Sequence, residues 1–309
     1  MHYFDVLAKL RHNKNQNHLE VVGPPKLDFI SPAMSAVLAA ARLVDPAIGR
    51  MGFANADCES YASNTGLLDA LQGNTPVANS GSLSGKSYSP LTKLSSAAEV
   101  RYCNAVITNV LYANLANDGN KPFVEKVAKI VGELHDNAAA HASGSAFSAT
   151  QVYGQRLEFA IADCGCGMLR NVRKVRPDIR NYPDAILWCL ERGNTTARAR
   201  DDMAQRVPDD CIVSPMPDGV ETYSDENHHY GEGLWRLTEL LKATSGKAWI
   251  WSGNGTVYID GNAPQKVVKL DDLSWSGVVV ELEFDMGRIQ SLGDDSEVDL
   301  SDLAARLGI

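Results

Sequence analysis

Glu133-Leu134-His135-Asp136-Asn137-Ala138-Ala139-Ala140-His141 is the stretch from which the rest of the chain is best read. Glu133 and Asn137 are four residues apart and therefore share one face of a helix. A carboxylate on that face can orient or deprotonate a water. An amide oxygen one turn away is a hard ligand of the kind Mg²⁺ takes, which needs few protein ligands when substrate phosphates supply the rest. The same spacing equally suits the solvated polar face of an amphipathic helix, and these residues alone leave both readings open.

Working outward, Val124, Val127, Ile130, Val131 and Leu134 recur at helical spacing, so a helix is predicted over 121–142, with Lys121 and Pro122 near its start. Another helix is predicted over 98–116. On the far side, an apolar strand at 157–163 runs into Asp163-Cys164-Gly165-Cys166-Gly167-Met168. An aspartate at a strand end can accept a hydrogen bond from an exocyclic amine such as that of adenine. Glycines there let the backbone approach a ligand closely. A plain strand-ending turn is the alternative. Tyr230-Gly231-Glu232-Gly233-Leu234 then precedes an amphipathic helix at 233–243. Such a junction either presents amides and a helix dipole to phosphate or forms an ordinary flexible cap. Strands are expected near 247–251, 255–259 and 277–284.

This order of elements predicts an α/β sandwich in which helices lie beside a mixed sheet. Residues 168–230 read as a long polar insert without packing partners. Residues 286–309 read as an acidic tail with a short helix at 300–307. Upstream, 19–30 suggests short strands around a Pro-Pro turn. Ser31 and Pro32 then open a helix as N-cap and first helical residue. The expected organisation is a small α/β domain at 1–73, a Gly-, Ser-, Asn- and Pro-rich linker or mobile loop at 74–96, and the main domain at 97–285.

Bulk composition narrows the classes. The chain has 309 residues, 44% hydrophobic and 22% charged, with a formal net charge of −9. That acidity argues against nucleic acid as a partner. No apolar run approaches the roughly 18 residues that span a bilayer, and the N-terminus turns polar too soon for a signal peptide, so a cytoplasmic protein is expected. The six cysteines form no CxxC pair and read as reduced, packed thiols.

Taken together and in this order, the three motifs resemble those of GHKL ATPases, the superfamily of gyrase, heat-shock chaperones, histidine kinases and MutL. ELHDNAAAH resembles the N box, IADCGCGM the first glycine box and GEGL the second; KAWIWSG…TVYI and SGVVVELEF resemble the closing strands of that fold. The resemblance spans residues 97–285 and implies ATP and Mg²⁺. It implies that Asn137 ligates Mg²⁺ and that Glu133 positions or activates the attacking water. It implies that Asp163 recognises the adenine amine, with Gly165, Gly167 and Met168 shaping that pocket. Gly231, Gly233 and Leu234 would sit in a lid at the phosphates. Asp136 and His141 also match common family positions. The chain departs from the histidine-kinase branch at Ala140, where a basic residue is frequent, and its last strand has Gly277-Val278 where Gly-Thr is common in the family, so one helper hydroxyl is missing.

The stretch 185–199 is similar to the segment before the lid in bacterial ATP-binding proteins of this type. Thr195 and Thr196 either approach phosphate or cap a turn, and Arg192, Arg198 and Arg200 either reach phosphate or form a solvated charge run. His228 and His229 read as an exposed pair. The segment from Lys26 to Gly73 looks similar to STAS-like modules, small α/β units that bind proteins. The expectation is a slowly hydrolysing, Mg-dependent switch acting through a protein partner or a homodimer contact. The alternatives are a serine kinase of anti-sigma-factor type and a non-catalytic, nucleotide-dependent interaction module.

Overall fold

The computed structural model describes residues 26–76, 84–115, 120–142, 146–194, 196, 233–271 and 273–294. Its centre is a seven-stranded sheet. The strands are β3 (Tyr88–Lys93), β4 (Ala146–Tyr153), β5 (Arg156–Asp163), β6 (Lys247–Gly253), β7 (Gly255–Asp260), β8 (Ala263–Lys269) and β9 (Trp275–Asp285), in the spatial order β3-β4-β5-β9-β6-β7-β8. Every neighbouring pair is antiparallel. The expected mixed sheet is therefore corrected to an antiparallel one. The physical reason is connectivity: β4–β5, β6–β7 and β7–β8 are hairpins, and tight turns reverse the chain. Two further strands, β1 (Lys26–Leu27) and β2 (Gly52–Phe53), form a separate parallel pair.

Helices cover both faces of the sheet. On one face lie α4 (Ala97–Leu115), α5 (Lys121–Ala142) and α8 (Gly233–Thr244). Their apolar stripes (Ile107 and Leu111; Val127, Val131 and Leu134; Leu237 and Leu241) meet Phe159, Ile161, Ile250, Val280 and Leu282 in one cluster. The other face carries α1 (Pro32–Val44). Ser31 caps it by accepting the Met34 N–H at 3.1 Å, and Pro32 opens it. Its run of small residues packs where the strands also present small ones, Ala149, Ala160 and Ala162. Small side chains on both sides let helix and sheet backbones approach closely. α2 (Ala56–Thr65) and α3 (Leu67–Gln72) flank it. This second cluster joins Leu27, Val37, Leu71 and Leu91 to Trp251, Trp275 and Val279. The residues expected as a first domain thus share a core with the sheet.

Several boundaries differ from the sequence reading. Part of the expected linker is strand β3, with Ser89 and Leu91 buried. Pro90 is tolerated because β3 lies at the edge of the sheet. The start of the 168–230 insert has packing partners of its own. There α6 (Gly167–Val172) and α7 (Tyr182–Leu190) enclose Leu169, Val172, Ile179, Ala185 and Trp188. The expected acidic tail begins with α9 (Met286–Asp294), whose Met286 and Ile289 enter the main core. The predicted helix at 300–307 lies outside the described residues. Among the described residues, no helix is long and apolar enough to cross a membrane.

Candidate functional site

Asp163 terminates β5 and is 5% exposed. The Gly165 N–H donates to its Oδ1 at 2.7 Å, and the Val278 N–H donates to the same carboxyl group. Burial pushes the carboxyl up to about 6, against the opposing pull of these two backbone donors. Its main-chain carbonyl accepts from the Trp275 indole N–H at 2.7 Å. Gly277 packs directly on the aspartate, since a β-carbon there would lie 2.4 Å from Asp163 Oδ1. Gly167 has φ of +69°, and a β-carbon on it would meet the Ser276 carbonyl oxygen at 2.8 Å. Ser252 locks the turn from the side: its hydroxyl accepts the Met168 N–H at 3.0 Å and donates to the Gly277 carbonyl at 2.9 Å. The strand end is thus a rigid cradle around one buried acid.

The polar face of α5 divides into three environments. Asp136 and Asn137 are exposed. Glu133 is partly buried and faces α8, where Arg236 Nη1 lies 3.3 Å from Glu133 Oε1. His135 turns inward and is fully buried. Its ring nitrogens lie 2.5 Å from Asn104 Oδ1 and 2.8 Å from Ser148 Oγ, with Cys103 Sγ 4.0 Å away. Burial pushes His135 down to about 3, so the imidazole stays neutral. The ring thus ties α4, α5 and β4 together and is not available to a ligand on the exposed face.

Gly233 starts α8, and Leu234 packs against the same apolar cluster as Met168, Val278 and Ala138. Residues from all three motifs therefore border one core. Arg192, in the stretch before the expected lid, lies with its guanidinium carbon 4.8 Å from the Trp235 ring centroid. Gly231, Thr195, Arg198, Arg200, His228 and His229 lie outside the described residues, as does the side chain of His141.

Sequence reasoning gave no role to Val278, Ser252, His135 or Arg236. Val278 stands where a hydroxyl is common, yet its amide, which no side-chain pattern reports, contacts the aspartate. His135 carried a legible signal: it follows the apolar Val131 by one helical turn and so shares its face. Arg236 sits beside Leu237 on a helix whose buried stripe the sequence does show.

A cavity of about 900 Å³ opens elsewhere, at the opposite end of β5. Phe29, Tyr61, Tyr153, Glu158, Lys247 and Glu283 are among its lining residues, and none of the expected site residues lines it. Arg156 begins the strand that Asp163 ends, a separation of about 23 Å at the usual strand rise. Within the cavity, Glu283 is paired with Lys247 at 3.3 Å and Arg156 at 3.8 Å. Asp28, Asp57, Glu158 and Asp285 also line the cavity, so it is acidic overall, and the residues of the three motifs are not among its lining.

Among the described residues, no group of three or more His, Cys, Asp and Glu side chains is arranged to hold a metal ion. The described cysteines, Cys58, Cys103, Cys164, Cys166 and Cys189, are free thiols. Burial pushes Cys103, Cys164 and Cys189 up to about 12, which keeps them protonated. No family model matches the chain, and neither a curated protein nor a solved structure matches it.

Proposed function

We propose that this protein binds ATP with Mg²⁺ between α5, the Asp163 turn and the start of α8, and works as a GHKL-type regulatory switch. The observation that carries the reading is the state of Asp163: a buried strand-end carboxyl, held by the Gly165 and Val278 amides. A buried acid with no cation paired to it among the described residues is expensive. A ligand amine that donates to it offsets that cost. Gly277 and Gly167 pack directly against neighbouring backbone, which holds the carboxyl in one place.

The rest of the site fits a nucleotide in type. Asn137 is an exposed amide one turn from Glu133, free of the crowding that buries His135. Such an oxygen suits Mg²⁺, which in turn would neutralise phosphate charge. Glu133, held on the side toward α8, orients water near that position. Gly233 brings the positive end of a twelve-residue helix to the same region. Phosphoryl transfer asks the protein mainly for positioning and charge stabilisation, and these groups supply both. Output passes to a protein partner or a second copy.

The test is a comparison of nucleotide binding and turnover in the wild type, Asp163→Asn and Glu133→Gln. Asp163→Asn loses binding, whereas Glu133→Gln binds and turns over slowly. Equal turnover in all three defeats the assignment. Label from γ-phosphate appearing on protein instead of in solution would identify the serine-kinase alternative.

A further inference from the structure

We propose that Arg236 is a positioning residue for Glu133, fixing the direction in which that carboxylate faces the site. The inference rests on the ATP reading above and extends it to a residue that none of the three motifs contains.

The starting point is where the charge sits. The Arg236 side chain is 3% exposed and that of Glu133 is 20% exposed. A second ion pair of α8, Lys242 with Glu239, has side chains 59% and 25% exposed and is an ordinary solvated pair. Arg236 lies beside Leu237, which with Leu240 and Leu241 buries the apolar stripe of α8 against Val131, Leu134 and Ala138 of α5. A methionine or leucine at 236 would fill the same space without desolvating a charge. A guanidinium placed there is favourable only when an anion meets it, and Glu133 Oε1 lies 3.3 Å from its Nη1.

Arg236 also lies in the first turn of α8. It follows Gly233 by three residues and so shares that side of the first turn. One helical turn therefore carries both the glycine expected at the phosphates and the cation that meets Glu133. The guanidinium meets the carboxylate through Nη1 and Oε1, and this buried donor turns that oxygen toward α8. Glu133 has one oxygen toward Arg236, and the side chain keeps enough exposure to meet a water. Asn137, one turn further along α5, is exposed. The arrangement sets the carboxylate's angle relative to Asn137 and hence to a phosphate held there.

The experiment uses the full chain. Binding of a non-hydrolysable ATP analogue with Mg²⁺ is measured by calorimetry, and phosphate release is measured at saturating ATP. The variants are Arg236→Met, Arg236→Lys, Glu133→Gln, and Arg236→Met combined with Glu133→Gln. Arg236→Met is expected to bind the analogue within about threefold of wild type while release slows roughly tenfold to a hundredfold, the scale of a misplaced catalytic group. Arg236→Lys recovers part of the loss. In the Glu133→Gln background, Arg236→Met has no further effect on release, because the group it positions has already lost its charge. Wild-type release in Arg236→Met overturns the inference, as does an equal loss with or without the Glu133 carboxylate. Should Arg236→Met fail to fold, Arg236→Lys decides: slower release at unchanged binding supports the assignment, and wild-type release overturns it. A wild type that binds no analogue overturns the ATP reading and this inference with it. A wild type that binds and hydrolyses, with an unaffected Arg236→Met, overturns this inference alone.

Discussion

Gly277 presses so closely on Asp163 that a β-carbon at 277 would stand 2.0 Å from the aspartate's carbonyl oxygen and 2.4 Å from its Oδ1. The contact binds the end of β5 to β9, and the next residue, Val278, donates its amide to the same carboxyl. Gly277→Ala cannot be absorbed by a side-chain rotation, because the clash is with backbone as well as carboxylate. It is expected to destabilise the fold by about 2 kcal/mol or more, as overpacking against backbone does. Urea unfolding measures this, and a wild-type midpoint would show that β9 can shift away from the turn.

Two buried groups give the stability a pH dependence of opposite sign. His135 is held down to about 3 by burial, against 6.5 in the open chain. Between those values the unfolded chain binds a proton that the folded one does not, so stability falls as pH drops from 6.5 toward 3. Asp163 is held up to about 6, against 3.8. Between those values the folded chain keeps a proton that the unfolded one has lost, so stability rises as pH drops from 6 toward 3.8. Each contributes a slope of up to about 1.4 kcal/mol per pH unit, and the two offset between pH 3.8 and 6. Asp163→Asn should therefore lose stability more steeply than wild type on acidification across that window. Parallel curves for variant and wild type would show that Asp163 titrates normally.

The opposite variant tests the histidine. His135→Leu removes a ring but leaves Asn104 Oδ1 and Ser148 Oγ without the contacts it made at 2.5 and 2.8 Å. A cost of about 2 to 4 kcal/mol at pH 7.5 is expected from two deprived polar groups. The variant should also lose stability less steeply than wild type below pH 6.5. Unfolding midpoints at pH 7.5 and pH 5 measure both. A wild-type slope in His135→Leu would contradict the assignment.

Glu133→Ala and Glu133→Gln should not behave alike. Alanine leaves the Arg236 guanidinium, 3% exposed, without this carboxylate, and losing one partner of a buried pair costs about 3 to 5 kcal/mol. Some discount applies because Glu133 itself is 20% exposed. Glutamine keeps an oxygen to accept the guanidinium N–H. Thermal melts should place Glu133→Ala well below Glu133→Gln. Equal melting temperatures would mean that the pair contributes little to stability.

Much of the fold was legible because its period was strong. The helix over Lys121–Ala142 and the strand ending at Asp163 follow directly from apolar spacing. What escaped was of three kinds. Strand β4 buries both faces, and its polar Ser148 and Thr150, set between Phe147 and Ala149, carry no sign of that burial. Strand β8 is exposed along its whole length and has no apolar face to read. The sheet direction followed from hairpins that short turns impose and that helix and strand order does not reveal. At the candidate site, side chains with a motif were found, whereas the Val278 amide and the Ser252 bridge depend on long-range pairing between β5, β6 and β9. Arg236 was hidden because its burial depends on which way α8 faces α5.

The central claim is tested most directly by calorimetric titration of the full chain with an Mg²⁺-bound, non-hydrolysable ATP analogue, beside the same titration of Asp163→Asn. One analogue per chain should bind wild type, and affinity should fall by at least about tenfold in the variant, the scale of one charge-assisted hydrogen bond of about 1.5 kcal/mol or more. Absence of binding to wild type, or equal affinity in the two proteins, would contradict it.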